Sequence, residues 1–512
     1  MRNRPWLRAL LIRRAVIILL LLAQIGVVVI SLVGQTAAVV WLEPALQLMS
    51  IVLVLHIAST DKAAGFRQVW AVLVLLIPVA GIPFYLLFRV QTGTKKLDRR
   101  IREIDERTLA DLMRGTDCYD AALADARAHS APVRYLQGHL HFPVRRHTQT
   151  RFFSPGETFY KALLADLESA RHYIFLEYFI VNEGDMWDGI VEILRRKAAQ
   201  GVDVRVLYDD MGCFLSLPPD FDRSLARRGI RCAVFNPFTP FVSAMQNNRD
   251  HRKICSIDGK IAYTGGVNLA DEYINRIERF GHWKDCALRL EGEGAWSMTV
   301  FFLEQWELTT REQTELAALY PWREAPCAVA DDGYVLPYID SPVDNENVCE
   351  NVYLHLIHTA RDYLYICSPY LIVDDTLAGA LALCAKSGVD VRIITPDKAD
   401  KRFVHFTTQS YYRQLIRAGV RIYQYTGGFI HSKTFVSDDT VAAVGTANLD
   451  YRSLYLNFEC GVWMWGSAAV AEIKQDFLET LPLCREIDAE ECSCSGLRRL
   501  WQEFLRLFAP LM

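Results

Sequence analysis

One pattern in this chain occurs twice. At residue 251 it reads HRKICSIDGKIAYTGGVNLADEY, and 180 residues later, at 431, it reads HSKTFVSDDTVAAVGTANLDYRS. Upstream, ARHYIFLEYFI (170–180) is matched by ARDYLYICSPY (360–370), and GVDVRVL (201–207) by GVDVRII (388–394). A chain that repeats itself at this range builds one unit twice, and the unit is legible. Each copy holds an apolar run rich in aromatic and β-branched residues, as a buried strand does. A helical stretch ending in glycine follows (WDGIVEILRRKAAQG, LAGALALCAKSG), and then a second strand. Strand, helix, strand is the signature of an α/β layer fold. The expected body is therefore two α/β repeats, residues 146–330 and 331–512, preceded by a linker over 101–145.

Within the repeat, each copy carries His, then Lys two residues on, then Asp five further: His251, Lys253, Asp258 and His431, Lys433, Asp438. Residues i and i+2 of a strand share a face, so His and Lys project together. The aspartates fall in Asp258-Gly259 and Asp438-Asp439, between two β-like runs where a tight hairpin belongs. There they are expected to hold the turn rather than touch a substrate. Each return strand ends in a Gly-containing turn and an asparagine, Asn268 or Asn448, brought back toward the His/Lys end. A lone His-x-Lys in a strand is ordinarily a polar edge; the whole pattern, present twice at matching positions, is specific.

Composition bounds the rest. The 512 residues are 51% hydrophobic and 23% charged, values of a globular chain rather than a disordered or collagenous one. The net charge of −4 conceals a split. Residues 1–100 sum to +9 and the remainder to −13, so the body lacks the basic stripe that nucleic-acid binding requires. The first hundred residues read as a membrane anchor with apolar runs at 15–33, 37–58 and 69–88, each near the ~20 residues that span a bilayer as helix. The run 15–33 exceeds a signal-peptide core despite the five arginines before it. Basic flanks before residue 15 and after residue 88 both favour the cytoplasmic side, which demands an even number of spans. Three runs conflict with that, and the sequence leaves the number open. The thirteen cysteines are odd in number and scattered, as reduced thiols are; Cys484, Cys492 and Cys494 lack the paired spacing or the nearby His of a metal site.

The two motifs resemble those of the phospholipase D superfamily, whose paired copies pack across a pseudo-two-fold axis into one active site. The fuller text, HRKICSIDGKIAYTGGVNLADEYIN with the later HWKD and GFIHSKTFVSDDTVAAVGTANLDYRSLYLNFEC, is most similar to bacterial cardiolipin synthases, and the pair 37–58 and 69–88 resembles that branch's amino-terminal membrane module. The resemblance implies that Glu459, in LNFEC, and Asp285, in HWKDC, hold the imidazoles, and that His251 is the nucleophile. It further implies phosphatidylglycerol and other anionic phospholipids as partners at the cytoplasmic membrane, with the body on the cytoplasmic side.

The residues fit that chemistry without a cofactor or metal. A phosphodiester is an anion that resists attack. Lys253 and Lys433 supply charge for its nonbridging oxygens, and Asn268 and Asn448 neutral donors. One His attacks phosphorus while the other protonates the leaving oxygen and later deprotonates the incoming alcohol. A phospholipase D, or a transferase using another alcohol, would use the same residues, so the acceptor stays open. Two further segments bear on lipid: FNPFTPFV (235–242), read either as a lipid entrance or as buried packing, and LRRLWQEFLRLFAPLM (497–512). The latter carries an apolar helical stripe at 497, 500, 501, 504, 505, 508 and 511, suited either to a membrane surface or to docking on the body.

Overall fold

The computed structural model describes residues 5–33, 37–60, 62–89, 92–238, 244–492 and 496–511. The first repeat's sheet is built from β1 (Thr148–Phe153), β2 (Tyr173–Tyr178), β3 (Asp203–Asp209), β4 (Arg231–Phe235), β5 (Lys253–Ile257), β6 (Ile261–Gly265) and β7 (Ala287–Gly292). Their order is β1-β7-β6-β5-β2-β3-β4. The second repeat's strands are β8 (Tyr334–Asp340), β9 (Tyr363–Cys367), β10 (Asp390–Pro396), β11 (Arg421–Tyr425), β12 (Thr434–Ser437), β13 (Val441–Gly445) and β14 (Asn457–Trp465). They lie as β8-β14-β13-β12-β9-β10-β11, the same order strand for strand, with β15 (Cys484–Ile487) added antiparallel beyond β11. In each sheet the βαβ part is parallel (β2-β3-β4, β9-β10-β11), and the hairpin carrying the motif joins it antiparallel, β5 on β2 and β12 on β9.

The amino-terminal helices are α1 (Pro5–Val33), α2 (Ala37–Ala58), α3 (Ala64–Leu76) and α4 (Pro78–Arg89). Among the described residues one helix is long and apolar enough to cross a membrane, over Trp41–Ala58; Ala15–Ile30 and Ala64–Leu76 are shorter apolar helices. The run 69–88 is not the single span expected of it. It breaks at Ile77 (φ −133°, ψ 63°), because Pro78 lacks an N–H and pushes the preceding residue out of the helical region. The two pieces fold back so closely that a Cβ on Gly81 would fall 2.4 Å from the Leu73 carbonyl oxygen. Gln24 of α1 accepts the Val79 N–H (2.9 Å), satisfying one donor that the new helix start leaves open.

Helix α5 (Thr92–Leu112) leaves this module and lies along the body. The helices α6 (Gly156–Ser169) and α7 (Asp185–Ala199) cover the outer face of the first sheet, where Ile174 and Leu176 of β2 meet Leu163 and Ile190. Tyr173 and Phe175, on the other face by the strand's period of two, pack inward against α8 (Glu293–Thr310). Helix α8 is buried nearly all round, as its lack of a polar face requires. In the second repeat α9 (Val348–Thr359), α10 (Asp375–Lys386) and α11 (Arg402–Arg417) cover the outer face. The short α12 (Tyr451–Tyr455) follows the second motif, α13 (Ala468–Thr480) is the inner counterpart of α8, and α14 (Gly496–Leu507) ends the chain. One core therefore runs between the sheets and holds Phe301 of α8 together with Phe477 of α13. Across it, α5 is tied to α8 by Thr108 Oγ1 to Glu304 (2.6 Å) and Arg107 to Glu307 (2.5 Å). Cys484 opens β15 and Cys492 packs beside the second repeat's outer core, while Cys494 lies outside the described residues.

Candidate active site

Both histidines sit where an extended segment crosses from its own repeat to the other. Arg249–Asp250 pairs in parallel with Asn457–Phe458 of β14, and the His251 N–H donates to the Phe458 carbonyl (2.9 Å). The mirror arrangement pairs Gly428–Ile430 with His282–Lys284, and the His431 N–H donates to the Lys284 carbonyl (2.7 Å). Each histidine backbone is thus fixed to the residue just before the other repeat's carboxylate.

The side chains follow. His251 Nδ1 lies 2.9 Å from both Glu459 oxygens, and His431 Nδ1 lies 2.7 Å from Asp285 Oδ2. The pairing is crosswise: each repeat's acid holds the other repeat's imidazole. A carboxylate can only accept, so Nδ1 carries the proton and Nε2 is left as the free lone pair. Burial, the largest influence, pushes the Glu459 and Asp285 carboxyls up, but the imidazoles and lysines beside them bring both below the ordinary carboxylate range. Burial lowers both histidines to about 4, so each is neutral in the empty site at pH 7.

Lys253 and Lys433 are each 1% exposed, and each donates its ammonium to the carbonyl of its own histidine. Lys433 Nζ also lies 2.9 Å from His431 Nδ1. Desolvation lowers Lys253 to about 7 and Lys433 to about 8. The halves share one space, because Lys433 acts on His251 and Lys253 acts on His431. Aromatic rings wall it: Phe179 5.0 Å from the His251 ring, Trp283 5.5 Å and Tyr273 5.7 Å from His431.

The halves differ in how their acids are held. Glu459 accepts from Thr446 Oγ1 and from Asn457 Nδ2 (3.2 Å). At the position matching Thr446 the first repeat has Gly266, where a Cβ would fall 2.0 Å from Asp285 Oδ1. Threonine with glutamate and glycine with aspartate are two solutions to one spacing.

Asp258 and Asp438 do not join the site. They close the opposite ends of β5 and β12, in the left-handed region (φ 52° and 53°). The Asp258 carboxylate accepts the N–H groups of Arg171, His172 and Tyr173 (2.7 to 2.8 Å), and Asp438 those of Arg361, Asp362 and Tyr363 (2.8 to 3.0 Å). They pin the hairpin to the start of the neighbouring strand. Asn268 is likewise engaged, accepting from Ile180 N–H (3.0 Å) and donating to the Tyr273 hydroxyl (2.7 Å), and Asn448 directs its amide nitrogen at Asp450 (3.3 Å). Of the segment 235–242, Phe235 packs on Phe458 (5.5 Å) and Phe238 on Phe214 (5.4 Å); residues 239–242 lie outside the described residues.

Sequence reasoning passed over one buried network. Arg252, between His251 and Lys253, pairs with Glu177 of β2 (2.8 Å) and Asp250 (3.2 Å) and packs over Phe458. Its signal was a lone glutamate in the otherwise apolar run YIFLEYFI: a charge there must have a partner.

The cardiolipin synthase, phospholipase D-like domain family matches residues 163–278 and 353–481, one block per repeat, and a phospholipase D-nuclease amino-terminal family matches 48–89. Cardiolipin synthase of Geobacillus kaustophilus is 32% identical over 90% of this chain and 92% of its own length. The chain belongs to the cardiolipin synthase family. Cardiolipin synthase 2 of Bacillus cereus is 34% identical over 86% of each chain, and an uncharacterized protein of Streptococcus mutans serotype c is 43% identical over 90% of this chain and 99% of its own. Family membership extends to the fold: phosphatidylserine synthase of Haemophilus influenzae superposes with a TM-score of 0.56 at 16% identity, covering 75% of this chain and 98% of that one.

Proposed function

We propose that this protein is a membrane phosphatidyltransferase that joins two phosphatidylglycerol molecules into cardiolipin and releases glycerol. The observation that carries it is the crosswise pair of imidazoles, each pinned at Nδ1 by the other repeat's carboxylate with Nε2 free, and two buried ammonium groups between them. The lysines receive the nonbridging oxygens of the donor phosphodiester. The arriving anion favours protonation of the groups that burial has depressed, which supplies the acid. His251 Nε2 attacks phosphorus, His431 protonates the departing glycerol oxygen, and a phosphohistidine remains. His431 then takes the proton of the acceptor hydroxyl as its oxygen displaces His251.

The anchor reads best as α1 and α2 crossing the bilayer, with α3 and α4 returning as a hairpin. Two crossings place both basic flanks on the cytoplasmic side, and the catalytic body with them. The apolar stripe of α14 supports the same placement. Its Leu497, Leu500, Trp501 and Phe504 are 83, 68, 47 and 48% exposed, while Gln502 and Leu505 face the body. Phe66 at the start of α3 packs on Tyr451 and Tyr455 of α12 (both 5.8 Å), which joins the membrane module to the helix just after Asn448. An exposed apolar stripe with Arg498 and Arg499 beside it suits the headgroup boundary of an anionic bilayer.

The test is product analysis. Purified protein in phosphatidylglycerol vesicles yields cardiolipin and glycerol near one to one. Phosphatidic acid as the main product would establish a hydrolase instead.

A further inference from the structure

The two acids of the site are held by different means. Glu459 has side-chain donors of its own repeat at its carboxylate, Thr446 Oγ1 and Asn457 Nδ2 (3.2 Å), besides His251. The matching positions in the first repeat are Gly266 and Trp283, and neither gives Asp285 a hydrogen bond. Among the described residues Asp285 accepts from His431 and from the N–H of its own neighbour Cys286 (2.8 Å). A carboxylate held so sparsely takes its position from its backbone, and that backbone is fixed one residue earlier. The Lys284 carbonyl accepts the His431 N–H (2.7 Å), while the Lys284 ammonium donates to Ser154 Oγ (2.8 Å) and Asp476 Oδ1 (2.5 Å). Ser154 follows β1 in the first repeat, and Asp476 lies on α13 in the second. The strand that carries Asp285 is thereby tied to the repeat that supplies His431. In the other half the residue matching Lys284 is Phe458, whose ring packs on Phe235 and under Arg252 with no ionic tie.

The pair is buried, with Lys284 8% exposed. Burial, the largest influence, lowers the ammonium, but Asp476 outweighs it and the group stays charged. The other titratable groups that face it, Cys286, Cys367, Cys484 and Tyr425, are all pushed up by burial and stay neutral. We infer that Lys284 and Asp476 are positioning residues for acid-base work at His431, their ion pair setting the Asp285 carboxylate against its imidazole. This rests on the reading of His251 as nucleophile and His431 as acid and base. It divides the reaction by leaving group. When glycerol departs, the P–O bond breaks as the P–N bond to His251 forms, and the leaving oxygen takes its proton from His431. A p-nitrophenyl ester breaks the same bond, but its oxygen leaves as the stable anion and needs no proton. Discharge then depends on His431 for either donor, because the acceptor O–H proton passes to it as the P–N bond breaks.

The experiment compares phosphatidylglycerol with phosphatidyl-p-nitrophenol, each in vesicles with full-length protein. Removing one partner alone would strand a buried charge, so Lys284→Met is accompanied by the double variant Lys284→Met with Asp476→Leu, which leaves none. The double variant turns over phosphatidylglycerol about 10²-fold more slowly than wild type, the scale of a misplaced catalytic group, while its first-turnover release of p-nitrophenol stays within about twofold. Lys284→Arg, which keeps the pair, recovers the turnover that Lys284→Met loses. Unchanged turnover of phosphatidylglycerol in the double variant overturns the inference, and so does first-turnover release slowed as much as that turnover, the mark of a tie that serves only the fold. Phosphate trapped on His431 in the wild type would instead overturn the assignment of roles on which it stands.

Discussion

At the scale of single residues, the motif's three letters divide between chemistry and architecture. His251→Ala or His431→Ala lowers kcat by ~10³-fold or more, because neither half can perform both nucleophilic and acid-base work; a variant keeping half the turnover would show two independent sites. Acid quenching traps phosphate on His251, and label on His431 would reverse the roles. Asp258→Ala acts elsewhere. It removes the acceptor of three backbone N–H groups at a turn that alanine tolerates poorly, at a cost of about 3 kcal/mol or more. Its melting temperature falls while kcat per folded molecule holds; a normal melting temperature with lost turnover would give Asp258 a direct part in catalysis. The lysines set a pH dependence. Lys253 at about 7 and Lys433 at about 8 are lowered by burial, so rising pH strips both charges from the empty site, whereas bound phosphate favours them. The KM for phosphatidylglycerol therefore climbs above pH 7 to 8, by up to about tenfold per unit for each lysine. A KM flat from pH 6.5 to 9 would contradict their role as phosphate receivers.

Among the elements, α14 and the α3–α4 hairpin carry what is distinctive. The stripe expected at 497–511 divides in the structure: Leu505 meets the body, while Leu497, Leu500, Trp501 and Phe504 face outward. Docking on the body accounts for one side of this helix, through Gln502 and Leu505, and leaves its other side uncovered. If the outward side enters the bilayer, an environment-sensitive dye on Leu500→Cys shifts to the blue in phosphatidylglycerol vesicles and is quenched by lipids spin-labelled near the headgroup. The same dye on Glu503→Cys stays aqueous. Equal aqueous spectra at both positions would detach α14 from the membrane.

For the whole molecule, the consequence of placing the site beside the membrane module is the fate of the phosphohistidine. Water at ~55 M competes with the acceptor, and transfer wins only if the acceptor is held against phosphorus at a much higher effective concentration. A second lipid in the same leaflet meets that condition. Added glycerol accordingly drives cardiolipin back to phosphatidylglycerol, since the phosphodiester bonds made and broken are alike; cardiolipin that resists reversal in excess glycerol would oppose this.

Duplication, strand and helix periods, and both His/Lys sets were legible in the amino-acid order because they are local: a period of two, a helix ending in glycine, a hairpin turn. The break at Pro78 was equally local, a proline inside an apolar run, and was passed over because hydropathy counts residues without regard to their backbone. What distance along the chain concealed was partnership. Glu459 stands 28 residues after His431 and 208 from His251, yet it is His251 that it holds, because the strand pairing of Asn457–Phe458 with Arg249–Asp250 crosses between repeats. The same folding turned the Asn448 amide nitrogen toward Asp450 and engaged Asn268 between the Ile180 N–H and the Tyr273 hydroxyl, two fates for one letter in one motif. The chain's order names the groups, while hydrogen-bond direction and burial, which only packing sets, assign what each group has left to offer.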